Sequence, residues 1–271
     1  MAASFQRAYP PTHPTPGSAY WFLFRGNEVL VQGPGTGYTL PRFDESAVAF
    51  LHPEGVLYLG TLTGVACFAG EVSPDQTLPA DLQAVGIRDL FGNLDDNAYG
   101  VVGYAAHILR WQRDSRFCPV CGNQLGELGE GWMRQCPNCD HIGYPLVSPA
   151  ILVLVHDGPR VLLVHKAGWG ARFSIIAGFV EPGETLEQCV QREALEEVGV
   201  EVTDLTYIGS QPWPFPHQLM IGFMARYSDG QILPDQSEID KAEWFRFDEL
   251  PELPGPLSLS RQLIDRWAKT C

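Results

Sequence analysis

The chain reads as an α/β protein in three parts: an N-terminal mixed α/β domain over 18–114, a small cysteine-bearing module over 115–147, and a C-terminal α/β domain over 148–271. Short apolar runs separated by turn signals fill the first part, and two CxxC pairs mark the second. In the third, apolar strands lead into a helix bracketed by start and stop signals. At 271 residues and 45% hydrophobic composition the chain can bury a core. No apolar run approaches the roughly 18 residues of a membrane span; the longest clear one is Ala150 to Val155. The start, MAASFQRAYPPTHPTPG, carries four prolines and no apolar stretch, so 1–17 is expected to be a flexible tail rather than a signal peptide, and the protein to be cytoplasmic. A formal net charge of −14 argues against a broad electrostatic grip on nucleic acid, so any polyanion has to be met locally.

In the first part AYWFLF, RGNE and VLVQ, then GVLYLG, TLTG and VACFAG, follow hairpin grammar, and mixed structure continues through ADLQAVGIRDLF. This region shows no catalytic constellation. A scaffold or subunit-contact role is expected, with Arg88 a candidate that reaches a site elsewhere. DNAYGVVGYAAHILRWQRDSRF reads as a helix in which Arg110, Arg113 and Arg116 recur every three residues and are expected to share most of one face. The ordinary reading of that stripe is a solvated surface.

CPVCG and CPNCD place Cys118, Cys121, Cys136 and Cys139 as two CxxC pairs separated by fourteen residues. Two such turns can supply four thiolates to a tetrahedral Zn²⁺, leaving no open position for water, so the zinc is expected to be structural. Two disulfides or a redox CxxC are the rival readings, disfavoured in a cytosolic setting. Cys67, Cys189 and Cys271 have no partner at metal spacing, and Cys189 is expected to be a buried small hydrophobe.

The third part begins with ILVLVHDGPRVLLVHKA, two apolar strands joined by an Asp-Gly turn. In GFVEPGETLEQCVQREALEEVGV, Thr185 with Gln188 makes a capping box and Gly199 supplies a stop. Leu186, Val190, Ala194 and Val198 form a buried stripe, and Glu193, Glu196 and Glu197 put three carboxylates on a neighbouring face. Taken alone, EALEE reads as a charged solvent-facing helix with Arg192 paired to Glu196; alternatively, three clustered carboxylates call for a cation, and hard oxygen ligands suit Mg²⁺ or Mn²⁺. SQPWPFPHQLM packs three prolines and two aromatics into Pro212–Pro216. It is expected to be a stiff loop, built either to wedge two elements together or to face a planar ligand.

The segment from Gly178 to Val200 runs glycine, five residues, Glu184, seven residues, Arg192-Glu193, a small apolar residue, any residue, Glu196-Glu197, any residue, Gly199 and an aliphatic residue. It resembles the Nudix box at every fixed position, with Ala194 smaller than the usual large aliphatic. The resemblance implies an α/β/α sandwich around a mixed sheet. It also implies hydrolysis of a nucleoside diphosphate linked to another group, with Glu193, Glu196 and Glu197 as metal ligands, Arg192 orienting them and Glu184 in support. With the zinc ribbon before the box and SQPWPFP after it, the chain is similar to the NADH pyrophosphatases, a branch that includes enzymes removing NAD caps from RNA.

That likeness implies that Gln211, Pro212, Trp213, Pro214, Phe215, Pro216, His217 and Gln218 lie beside a bound dinucleotide. It assigns Tyr144 and Phe179 to the nicotinamide end, Ala177 to a backbone contact, Ser260 to a place near the ligand and Glu238 to the metal. The family usually has Ser where this chain has Gln218. It further implies a homodimer formed through the N-terminal and ribbon regions.

Overall fold

The computed structural model describes residues 5–10, 17–35 and 37–271, which divide into one unit ending at Leu146 and a second beginning at Val147. No helix among the described residues is long and apolar enough to cross a membrane. In the first unit the strands are β1 (Phe5–Arg7), β2 (Ala19–Arg25), β3 (Glu28–Gln32), β4 (Arg42–Phe43), β5 (Glu54–Leu62), β6 (Val65–Glu71) and β7 (Leu82–Gly86); the helices are α1 (Glu45–Val48) and α2 (Asp96–Asp114). The sheet runs β1-β5-β6-β2-β3-β7, with β4 added against β2. Along β2 successive side chains alternate faces. Trp21 and Leu23 pack with Val48 of α1, while the intervening Phe22 and Phe24 are also buried, and α2 lies against β2, β5 and β6.

Two expectations for this unit are corrected. Phe5–Arg7 is not tail: it pairs antiparallel with Gly60–Leu62, where the positive φ of Gly60 and its close approach to Gln6 admit no side chain. The rest of the expected tail includes 1–4 and 11–16, which lie outside the described residues. Nor do the three arginines share a face. α2 ends at Asp114, Arg110 and Arg113 ion-pair with Asp114 and Glu71, and Arg116 lies beyond the helix over Phe117.

The cysteine module completes this unit with β8 (Arg134–Gln135) and β9 (Ile142–Gly143). Its apolar core is Cys118, Leu125 and Cys136, too small to hold a fold. All four sulfurs lie within 4.8 Å of one another, with Cys118–Cys139 at 3.6 Å and Cys121–Cys136 at 3.5 Å. A disulfide needs about 2 Å, whereas tetrahedral Zn–S bonds of about 2.3 Å set sulfurs about 3.8 Å apart. The donor set therefore fits structural zinc and excludes the disulfide reading. From α2, the Trp111 indole donates to the Trp132 carbonyl (3.1 Å) and the Trp132 indole to the Tyr104 hydroxyl (2.7 Å), so the module is tied to the sheet domain of its own unit.

The second unit contains β10 (Ser148–Asp157), β11 (Arg160–His165), β12 (Ile176–Phe179), α3 (Leu186–Val198), β13 (Val200–Trp213), β14 (Gln218–Gly230), β15 (Lys241–Arg246) and α4 (Leu259–Ala268). Its sheet runs β13-β14-β10-β11-β15 with β12 paired to β10; β10 and β14 are parallel and the other pairs antiparallel. The unbroken run ILVLV is explained by its central place. Ile151, Val153 and Val155 pack with Val190, Ala194 and Val198 of α3, while Leu152 and Leu154 pack on the opposite face with Leu259, Leu263 and Trp267 of α4. The result is the expected α/β/α sandwich.

One prediction concerns the cysteine module. Purified protein should carry about one zinc per chain, and Cys136→Ser should lose it and melt the module's hairpin. Elemental analysis finding no zinc in protein with four free thiols here would count against the assignment.

Candidate active site

α3 starts and stops where its sequence says. Thr185 accepts from the Gln188 backbone (3.2 Å) while the Gln188 side chain accepts from the Thr185 backbone (2.8 Å). Gly199 closes the helix in the left-handed region, and a Cβ there would meet the Gln231 carbonyl at 2.7 Å. The freed carbonyls at the helix end are taken up by the following chain: Leu233 N–H donates to Val198 and Asp235 N–H to Glu197. Asp235 in turn accepts from the backbones of Glu238 and Ile239, so the end of α3 fixes the turn that carries Glu238.

Arg192 is the hub. Its guanidinium forks onto Glu184 (Nε 2.6 Å, Nη2 3.0 Å), and Nη1 reaches Glu193 (2.8 Å) and Glu196 (3.1 Å), while Nη2 also donates to the Phe179 carbonyl (2.9 Å). Glu184, also accepting from Glu181 N–H, is held well below the usual carboxylate range at about 2, chiefly by the Arg192 bond. Burial instead pushes Glu193 up. Glu193 rests on Gly178, where a Cβ would meet its carboxyl carbon at 1.8 Å; the box glycine is the floor on which that carboxylate lies.

Glu197 is 5% exposed, and burial raises its pKa to about 7. One oxygen meets Lys166 Nζ at 3.4 Å; the other, Oε2, is buried without a partner. Lys166 also reaches Glu238 at 3.0 Å. Two cations thus contact five carboxylates, and an orphaned buried oxygen is left over. A site with that imbalance fits one or more hard divalent cations, for which Glu193, Glu196, Glu197 and Glu238 offer oxygen donors. Arg192 and Lys166 hold these acids in place without drawing them into a closed cage. Among the described residues the four cysteines are the one group of three or more His, Cys, Asp or Glu side chains whose ligand atoms all lie within 4.8 Å of one another.

The proline-aromatic segment differs from the expected loop. Gln211–Trp213 belong to β13 and Gln218–Met220 to β14, paired in register, and the turn is confined to Pro214–His217 with a cis Phe215–Pro216 peptide. Pro212 is tolerated because β13 is the edge strand. Half-buried Trp213 and Phe215 pack edge to face at 5.1 Å at the hairpin tip. Gln211 accepts from Leu259 N–H and donates to the Leu257 carbonyl, both at 2.8 Å, so it anchors the start of α4. Ser148 N–H donates to the His217 carbonyl, and its hydroxyl meets the His217 ring.

Of the other expected residues, Ala177 packs on the α4 face and Phe179 is exposed, both on β12 beside β10. Ser260 is buried on α4 and bonds Ser258. Tyr144 and Arg88, both exposed, belong to the first unit. Cys189 is fully buried against the Phe179 carbonyl, its thiol pushed up to about 12, and so is inert packing as expected. Sequence reasoning missed Lys166. The HK pair ending the hairpin segment was its only trace, and nothing local ties it to acids 31 and 72 positions away.

A family model described as the NUDIX domain matches residues 146–267, one described as the NADH pyrophosphatase zinc ribbon domain matches 113–144, and one described as an NADH pyrophosphatase-like rudimentary NUDIX domain matches 18–111. A protein of Deinococcus radiodurans named NAD-capped RNA hydrolase NudC is 38% identical over 93% of this chain and 88% of its own length. The chain belongs to the Nudix hydrolase family, in its zinc-ribbon branch. A Pseudomonas aeruginosa protein of the same name is 48% identical over 66% of this chain, and the match spans 65% of that relative's length. A crystal structure of a Nudix hydrolase from Nitrosomonas europaea aligns with a TM-score of 0.49 at 24% identity, covering 57% of this chain and 90% of that one.

A pH dependence follows from Glu197. Its folded pKa of about 7 lies above the unfolded value of about 4.3, so the folded protein holds that proton more tightly. The stability this contributes is complete below the unfolded pKa and is lost as pH rises through the folded one. Without added divalent metal, wild type should therefore lose stability relative to Glu197→Gln between about pH 5 and pH 8 in urea melts. Parallel curves would contradict the buried, uncompensated carboxylate.

Proposed function

We propose that the protein hydrolyses the pyrophosphate bond of NAD(H), with Mg²⁺ or Mn²⁺, to nicotinamide mononucleotide and AMP, and releases the same mononucleotide from NAD-capped RNA. The observation that carries this reading is the pairing, in one unit, of the Arg192-centred carboxylates with a stiff aromatic hairpin tip. The names of the relatives point the same way. In balance, the oxygen of water bonds to one phosphorus, the bridging P–O bond breaks, and both products leave as monophosphates.

Glu193, Glu196, Glu197 and Glu238 would hold the metal, which supplies neutralisation of the phosphate charge and an activated water. The protein's own part is positioning. Arg192 fixes two of these acids, Glu193 and Glu196, to Glu184 and the Phe179 carbonyl, Gly178 gives Glu193 its seat, and Gln211, close to the hairpin tip, ties β13 to the start of α4. Trp213 and Phe215, held rigid by the prolines, present a wall whose ordering is already complete before a planar nucleotide arrives. Gln218, longer than the family's usual Ser, begins β14 opposite Trp213 and keeps both a donor and an acceptor for that nucleotide.

The reading includes a homodimer. Phe117, Val120, Ile142 and Tyr144 of the ribbon are each more than 40% exposed, an apolar surface suited to a second copy. A reducing, cytoplasmic setting suits four cysteines used as thiolates.

The test gives wild type, Glu197→Gln and Trp213→Ala a panel of NADH, NAD⁺, ADP-ribose, a dinucleoside polyphosphate and NAD-capped RNA, with products identified by mass. NAD(H) or its capped RNA should lead the wild-type panel. Glu197→Gln should lower kcat at least about 100-fold on all substrates, and Trp213→Ala should lower kcat/KM about 5- to 150-fold on the nicotinamide substrates in particular. If ADP-ribose or the polyphosphate leads, or Trp213→Ala lowers every substrate equally, the hairpin tip is a wedge and the substrate assignment fails.

A further inference from the structure

Lys166 sits where a cation bridging Glu197 and Glu238 would sit. Its ammonium is 3.4 Å from the first acid and 3.0 Å from the second, and only a quarter of its side chain is exposed. Burial opposes that charge, but the two carboxylates outweigh it and hold its pKa above the ordinary value. The contact is built into the backbone. Lys166 directly follows β11, whose last residue, His165, accepts from Asp240 N–H through its carbonyl (3.1 Å) and pairs its ring with the Asp240 carboxylate (2.5 Å). Asp235 holds the other side of the same turn through the backbones of Glu238 and Ile239. The strand end and the Glu238 turn are thus pinned together, and Lys166 and Glu238 face each other as a consequence.

We propose that Lys166 is the resident cation of the carboxylate cluster: it holds Glu197 and Glu238 until a divalent ion takes them, withdraws when it does, and so sets how much metal the site requires. This rests on the reading of Glu197 and Glu238 as metal ligands. Two cations cannot share the space between the same two carboxylates, and a single ammonium leaves Glu197 Oε2 unsatisfied, so the lysine is a weaker occupant than a divalent ion. The four-carbon stem can swing without backbone change, and the withdrawn ammonium remains close enough to serve phosphate oxygens as a point charge. A lysine that acted only as a structural ion pair would make a different prediction: its loss would weaken the fold and leave metal affinity alone.

The experiment measures Mn²⁺ binding directly, by the electron paramagnetic resonance of free Mn²⁺, on zinc-loaded full-length protein without substrate. Wild type is compared with Lys166→Met, Lys166→Gln, Lys166→Arg and Glu197→Gln. Both neutral variants should bind Mn²⁺ at least about 5-fold more tightly than wild type, and their melting temperatures should rise more on adding Mn²⁺, from a lower metal-free start. Lys166→Arg should stay near wild type. If the neutral variants bind no more tightly than wild type while Glu197→Gln loses binding, the metal site stands and this proposal falls. If Glu197→Gln binds Mn²⁺ as wild type does, the metal-ligand reading fails and takes the proposal with it.

Discussion

The guanidinium of Arg192, forked onto Glu184 and extended to Glu193, Glu196 and the Phe179 carbonyl, ties together the loop before α3, the helix itself and the end of β12. Carboxylates this close repel one another unless a cation stands among them. Arginine can do this because its planar donors point in several fixed directions at once, which a lysine at the same place could not match. The arrangement is deliberately incomplete in charge. Arg192 leaves Glu197 to be compensated by Lys166 alone, with one of its oxygens buried and unpaired. That residual negative charge, held on a rigid helix, is the property from which metal demand follows.

The rigidity has its own source. α3 is pressed against the central strand β10 through Val190, Ala194 and Val198, and α4 covers the reverse face, so the helix is packed on a fully buried strand rather than on a flexible surface. The β13–β14 hairpin is long enough to carry Trp213 and Phe215 to its tip, and Gln211, two residues before Trp213, ties that end to α4. The helix that bears the acids and the hairpin that bears the aromatic wall are thereby both fixed to one sheet. The zinc ribbon solves a different problem. Its few apolar side chains cannot hold a fold, and four sulfurs at metal spacing replace them.

How much could be read from the sequence depended on distance along the chain. The box was legible because its members lie within one capped helix and its approach, where spacing alone decides which side chains share a face. The cysteines were legible because each CxxC turn is a local structure. Where strand pairing determines the neighbour, the sequence was silent: Lys166 meets Glu238 only because β11 pairs with β15, and Gly178 is required only because Glu193 lies over it. The proline-aromatic segment misled for a related reason. Prolines exclude a central strand, but nothing local distinguishes a loop from the end of an edge strand, and β13 is an edge. The strand at Phe5–Arg7 was hidden in the same way, since its partner is more than fifty residues on.

The central claim is that a buried acid, not fully compensated by the protein's own cations, is completed by a divalent ion. It is tested most directly by counting the protons released when Mn²⁺ binds, using titration calorimetry in buffers of differing ionisation enthalpy. With Glu197 at about 7 in the metal-free protein, binding should release about one proton near pH 6 and far less near pH 8.5, because the ligand must be ionised to bind. Proton release that is absent near pH 6, or the same at both pH values, would contradict the account.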